Sequence, residues 1–174
     1  MKSEQTYHHT HRFELESGGY LPDFRLTYTT FGKLNADKSN VVWVCHALTG
    51  NSDPSLWWEG LFSENGAFPS SAYFIICANT LGGCYGSTGP LSVNPETGKI
   101  FFHDFPMLTN RDIVRAFDAL RKDLGLNTIH TLIGGSLGGQ QVLEWAIIQP
   151  DVFKNIVPIA VSYTHLTLPT ILLV

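Results

Sequence analysis

The sequence predicts an α/β fold, a mostly parallel sheet with helices packed on both of its faces. Three observations carry that prediction. From Val41 onward, short apolar runs alternate with segments of helical periodicity, an order that implies parallel strands joined by right-handed crossovers. Val41-Val42-Trp43-Val44-Cys45 is apolar throughout, as a strand buried on both faces requires. Gly134-Gly135-Ser136-Leu137-Gly138 joins an apolar run ending at Ile133 to a helix-like segment beginning near Leu137, so a strand reverses directly into a helix there.

The elements follow in order. The first residues carry His8, His9 and His11, with no further metal ligand at a suitable spacing, and read as a solvated tail. Residues 12–15 and Phe24–Phe31 flank Gly18-Gly19, with Leu26, Tyr28 and Thr30 alternating against Arg25, Thr27 and Thr29. That pattern predicts an antiparallel strand pair at one edge of the sheet. The strand at 41–45 runs into His46-Ala47-Leu48-Thr49-Gly50, whose bland reading is an ordinary strand-to-helix loop in which His46 makes one backbone hydrogen bond. Residues 55–62, with Trp57, Trp58, Leu61 and Phe62, predict a short aromatic-rich helix or loop serving the core. Residues 73–78 form a second buried strand, and Gly82 to Pro90 a long glycine-rich loop. That loop lacks the Lys-Ser/Thr ending of a phosphate cradle and is expected beside the active site, with nothing to single out Cys84 as a nucleophile.

Thr109-Asn110-Arg111-Asp112 has the spacing of a capping box. Ile113, Phe117, Leu120 and Leu124 follow at helical spacing, and Gly125 ends the segment. Residues 128–133 form the strand that feeds the glycine-rich junction, 137–149 the helix after it, closed by Pro150, and 155–161 one more strand.

Composition bounds the function. The chain has 174 residues, 44% of them hydrophobic and 15% charged, which suits one globular domain with a substantial core. A net charge of −4 favours neither nucleic acid nor an anionic membrane as the main partner. The start has no apolar core of a signal peptide and no segment is long and apolar enough to span a membrane, so the expectation is a cytoplasmic protein. Its three cysteines lack C-x-x-C spacing, which fits reduced thiols. No cofactor and no metal is expected.

The junction at Ser136 carries the chemistry. The pattern is G-x-S-x-G, the arrangement of a nucleophile elbow. The positions two before and two after the serine sit where strand and helix backbones meet closely, so neither can carry bulk. The serine is expected in a strained conformation that lifts its Oγ clear of the sheet, at the positive end of a helix, where the Leu137 N–H can face a developing oxyanion. The loop after Cys45 stands where such a fold takes its second oxyanion N–H. A bland alternative is a tight turn in which Ser136 only caps the helix. His46 comes too early in the chain to match the usual serine, acid, histidine order.

A resemblance covers residues 10 to 160. Its segments are His46-Ala47-Leu48-Thr49-Gly50, the run Asn79-Thr80-Leu81-Gly82-Gly83-Cys84-Tyr85-Gly86-Ser87-Thr88-Gly89-Pro90, and Asp104-Phe105-Pro106. They continue through Thr109, Arg111-Asp112, Leu124-Gly125, Gly134 to Gln140 and Glu144-Trp145-Ala146. In these the chain resembles the homoserine O-acetyltransferases of the α/β-hydrolase superfamily. The resemblance implies transfer of the acetyl group of acetyl-CoA, a co-substrate, to the hydroxyl of L-homoserine in methionine biosynthesis. It implies Ser136 as nucleophile, the N–H groups of Leu48 and Leu137 as oxyanion hole, a helical lid and a homodimer. It also implies an α/β-hydrolase sheet cut short after the strand that follows the nucleophile helix, with residues 1–161 the N-terminal part of a catalytic domain. Residues 162–174 depart from the family pattern and read as an atypical tail of foreign origin, such as a frameshift product. His165 lies in that tail and is not expected to be the base. Without acid and histidine the chain as given is expected to be nearly inactive alone. Succinyl transfer to homoserine, acetyl transfer to serine, ester hydrolysis and a non-catalytic fragment stay open as alternatives.

Overall fold

All five residues from Val41 to Cys45 are buried, and their side chains alternate between two apolar clusters on opposite faces of one sheet. The computed structural model describes residues 2–161. Its elements run β1 (Lys2–His9), β2 (Phe13–Glu14), β3 (Tyr20–Leu21), β4 (Phe24–Phe31), β5 (Val41–Cys45), α1 (Pro54–Trp57) and α2 (Glu59–Phe62). They continue with β6 (Phe74–Ala78), α3 (Asn110–Asp123), β7 (Ile129–Gly135), α4 (Leu137–Ile148) and β8 (Phe153–Ile159). The main sheet has the order β1-β4-β6-β5-β7-β8. Strands β6, β5, β7 and β8 are parallel, while β1 and β4 add antiparallel at one side.

The order explains the layers. From β5 the chain steps one way along the sheet to β6, then returns past β5 to β7 and on to β8. Right-handed crossovers in opposite directions put their connections on opposite faces. Accordingly α3 and α4 cover one face, where Trp43 meets Trp145 edge-on at 5.0 Å. The single turns α1 and α2 cover the other, where Trp57, Trp58 and Phe62 pack over Val42, Val44, Ile75 and Cys77. The direction reverses at β5, and ligands of such sheets bind at the carboxyl ends of strands beside that reversal.

Two expectations about the amino-terminal region are corrected. Residues 2–9 are not a solvated tail but a full strand, paired residue for residue with β4 from Lys2↔Phe31 to His9↔Phe24. Tyr7 packs edge-on against Phe24 and His9 stacks on it at 4.7 Å, which anchors an otherwise polar edge strand. Consequently Phe24–Phe31 lies between β1 and β6 and does not pair with residues 12–15, of which Phe13-Glu14 (β2) pair instead with Tyr20-Leu21 (β3) in a separate two-stranded sheet. The other elements stand within two residues of where the sequence puts them, and no helix among the described residues is long and apolar enough to cross a membrane. The stretch 162–174, with His165, lies outside the described residues.

Candidate active site

The register of the two central strands sets the geometry, because Cys45 pairs in parallel with Gly134. The loop that follows β5 and the bend that follows β7 therefore leave neighbouring strands at the same edge. At the bend the approach of backbones is extreme. A Cβ on Gly138 would stand 2.0 Å from the Cys45 carbonyl oxygen, and one on Gly134 would stand 2.4 Å from that of Gly138. Neither position tolerates a side chain, which is why glycine occupies both. Between them Ser136 has φ 56° and ψ −119°, a region that non-glycine residues occupy only when the surroundings enforce it.

Ser136 is exposed and its side chain makes no capping hydrogen bond to α4. Helix capping, the bland alternative, is thus not what this side chain does. Its backbone is pinned instead: the Ser136 N–H donates to the Ile159 carbonyl at 3.0 Å, and the Ser136 carbonyl accepts from Gln140 at 3.1 Å. Among the described residues the N–H of Leu137, first in α4, has no hydrogen-bond partner, and neither does that of Leu48 in the loop after β5. A helix N-terminus leaves such donors free by construction, and free donors at its positive end favour a developing negative charge.

Leu48 and Leu137 line one cavity of about 760 Å³, together with His46 and most of the loop from Asn79 to Ser92. Ser136, one residue before Leu137, is not itself part of that lining. The glycine-rich loop is structured as expected, closed by Gly82 N–H to Thr88 carbonyl at 2.8 Å and tied to β4 by Thr88 N–H to Arg25 carbonyl at 2.9 Å. Every described residue that lines the cavity is uncharged or is His46.

His46 does more than make the single backbone bond of the bland alternative. Its Nε2 lies 3.0 Å from the Thr80 N–H and its Nδ1 lies 2.7 Å from the Ala47 carbonyl. An amide N–H only donates and a carbonyl only accepts, so Nε2 is bare and Nδ1 carries the proton. Burial, the larger influence, holds this imidazole below its ordinary pKa, opposed in part by the Ala47 bond. Both nitrogens are engaged, so His46 has none left to serve as a base for Ser136. Burial pushes the thiols of Cys45 and Cys77 up, which keeps them protonated and inert, while Cys84 is exposed on the cavity loop. Among the described residues no histidine or carboxylate hydrogen-bonds to the Ser136 side chain, and no cluster of three or more His, Cys, Asp or Glu could hold a metal. The sequence pointed to Ser136, Leu137 and Leu48; it put Asn79 and Thr80 in a matched run but gave no sign of their contacts with the loop after β5, which depend on strand order.

Comparison with known proteins gives a consistent answer. The family model described as alpha/beta hydrolase fold matches residues 40–171. A homoserine O-acetyltransferase of Cyclobacterium marinum is 51% identical over 158 residues, which are 91% of this chain and 45% of that protein. Among solved structures, the homoserine O-acetyltransferase from Bacillus anthracis superposes with a TM-score of 0.83 at 29% identity, over 90% of this chain and 46% of that one. Esterase E22 superposes with a TM-score of 0.80 at 28% identity, over 90% and 46%. The chain spans about half the length of the curated relatives it matches.

Proposed function

Because the chain belongs to the α/β-hydrolase fold family, with the family model matched over residues 40–171, we propose that the whole protein transfers the acetyl group of acetyl-CoA to the side-chain hydroxyl of L-homoserine. The observation that carries this reading is the exposed, strained Ser136 one residue before Leu137, whose N–H, like that of Leu48 on the same cavity wall, has no hydrogen-bond partner among the described residues. The names of the homoserine O-acetyltransferases that match over most of this chain supply the acceptor and the acetyl group, and acetyl-CoA as its donor follows from the family resemblance.

On this reading the Ser136 Oγ attacks the thioester carbonyl as its proton passes to a base, and the carbonyl oxygen becomes an oxyanion held by the N–H groups of Leu48 and Leu137. The C–S bond then breaks, the CoA thiolate takes up a proton, and an acetyl ester remains on Ser136. The homoserine hydroxyl attacks that ester, the serine oxygen leaves with its proton restored, and O-acetylhomoserine departs. A serine hydroxyl needs a base, and His46 cannot supply it, so the base and its acid are assigned to residues outside 2–161. Residues 2–161 alone are therefore expected to lack turnover, since loss of triad members costs roughly 10⁴- to 10⁶-fold in a serine hydrolase. The reduced thiols and the soluble substrates fit the cytoplasm, and the helical lid and homodimer implied by the resemblance belong to the same proposal.

A second reading, ester hydrolysis, is favoured by the structural likeness to esterase E22. The two differ in the fate of the acetyl-serine. The test is to incubate the purified whole protein with acetyl-CoA, with and without L-homoserine, and to measure free thiol, acetate and O-acetylhomoserine. Homoserine-dependent thiol release with matching ester formation, abolished in Ser136→Ala, is expected. Release of acetate at the same rate with or without homoserine would overturn acyl transfer in favour of hydrolysis.

A further inference from the structure

The loop that carries Leu48 is held by side chains more than by its own backbone. Its one internal backbone bond is Gly50 N–H to the Ala47 carbonyl at 2.8 Å. At its start, His46 Nε2 accepts the Thr80 N–H at 3.0 Å, with the Thr80 hydroxyl a second neighbour at 3.1 Å. At its far end, the Ser52 N–H donates to Asn79 Oδ1 at 2.7 Å, and Asn79 Nδ2 reaches both the Ser52 hydroxyl at 3.2 Å and the Tyr85 carbonyl at 2.6 Å. His46, Ser52, Asn79 and Thr80 are all buried. Both ends of the loop are thus bonded to two consecutive residues at the carboxyl end of β6, and the far end also to Thr29, whose Oγ1 lies 2.8 Å from Ser52 Oγ, and to Trp57, whose Nε1 donates to the Asn51 carbonyl at 3.2 Å. Leu48, in the middle, is 76% exposed and has no such tether.

We propose that His46 and Asn79 are positioning residues for the proposed reaction: they suspend the loop between residues 46 and 52 from Asn79 and Thr80 and so fix the Leu48 N–H where the oxyanion forms. This rests on the role of Leu48 proposed above. Neither side chain hydrogen-bonds to Ser136; their bonds go to Ala47, Ser52, Thr80 and Tyr85. Their effect is to remove the freedom of a donor that would otherwise have to be ordered during the reaction, and preorganisation of donors is the main source of oxyanion stabilisation. The geometry also says which bond of His46 matters. The link to Thr80 joins the loop to another strand, whereas the link to Ala47 is local. A glutamine can place an acceptor near the position of Nε2, and an asparagine only near that of Nδ1.

The experiment uses the whole protein with His46→Asn, His46→Gln and Asn79→Ala. In His46→Asn and Asn79→Ala, kcat is expected to fall by about 10²-fold with KM within about threefold, the signature of a lost transition-state donor. His46→Gln should recover at least about tenfold of that loss. Amide hydrogen exchange of residues 47–50, which needs no activity, should accelerate at least about tenfold in His46→Asn and much less in His46→Gln, with the strands unchanged. Equal kcat for His46→Asn and His46→Gln, or unchanged exchange at 47–50 in both, would overturn the proposal. Exchange that follows the expected order in a protein without acyl transfer would leave the suspension standing and sink the proposed function instead.

Discussion

A methyl group at position 138 has no room, because the Cys45 carbonyl oxygen lies 2.0 Å and the His46 carbonyl oxygen 2.9 Å from where it would stand. Both obstacles are backbone atoms of the central strand and its exit, which cannot swing aside as a side chain can. Gly138→Ala is therefore expected to destabilise the protein by about 3 kcal/mol. Gly135→Ala, whose Cβ would meet only the edge of the Trp58 ring at 3.2 Å, should cost about 1 kcal/mol or less. Urea unfolding of the two variants checks the ranking, and equal losses would contradict it. The same neighbourhood has a pH signature. Burial keeps the folded His46 neutral below its ordinary value of 6.5, so as pH falls through 6.5 the unfolded chain takes up a proton that the folded one refuses. Stability is lost between 6.5 and the lower folded value, and the loss levels off beneath it. In His46→Asn that contribution disappears, so the gap in unfolding free energy between parent and variant should narrow as pH is lowered from 7.5 to 5 in a series of urea titrations. The glycine requirement and the serine's special conformation were legible from G-x-S-x-G, since they follow from one strand meeting one helix. The engagement of both His46 nitrogens was not, because Thr80 comes beside His46 only through the parallel pairing of β5 and β6.

At the scale of elements, α3 begins as its sequence prescribes and holds more than its own first turn. The Thr109 side chain accepts from the Asp112 N–H and Asp112 Oδ2 accepts from the Thr109 N–H at 3.1 Å, closing the capping box. Asp112 is fully buried, and its Oδ1 also accepts from the Glu16 N–H at 3.0 Å and from Arg115 at 3.3 Å. The helix start thereby ties the β2–β3 hairpin region to the main sheet's outer layer. Thr109→Ala removes one cap partner and should cost about 1 kcal/mol. Asp112→Asn is expected to cost more, about 2 kcal/mol, because whichever side-chain atom becomes NH₂ then faces a donor. Denaturation midpoints of the two variants test that order. The cap was readable because its two members lie three residues apart. Strand β1 was not readable for the opposite reason. Lys2–His9 shows no apolar alternation, since it lies at an edge and only Tyr7 and His9 reach Phe24. Its strand character is set by eight pairings with β4, and such pairings leave no mark within the segment itself. The mispairing of residues 12–15 followed directly, as β4 was left without its true neighbour.

At the scale of the whole molecule, the reversal of chain direction at β5 brings the loop after β5, the glycine-rich loop after β6 and the first turn of α4 around one cavity. Among the described residues that cavity's wall has no lysine, arginine, aspartate or glutamate, and its one described imidazole is held neutral. An acetyl group needs no charged partner there. A succinyl group brings a carboxylate, and a carboxylate taken from water without a partner costs several kcal/mol, here taken as about 3–4 kcal/mol. If the acyl group is held against this wall, as the proposed roles of Leu48 and Leu137 require, succinyl-CoA should react with kcat/KM lower than acetyl-CoA by about 10²- to 10³-fold. The comparison is made on the whole protein with L-homoserine as acceptor. Placing a cation on the wall turns the argument round: Leu91→Arg, at a cavity residue that is 75% exposed and so has space for the longer side chain, should raise kcat/KM for succinyl-CoA while leaving that for acetyl-CoA within about threefold. Equal use of both donors by the parent would mean that the acyl group is bound elsewhere, against charged residues outside 2–161, and that this cavity holds a different part of the substrates.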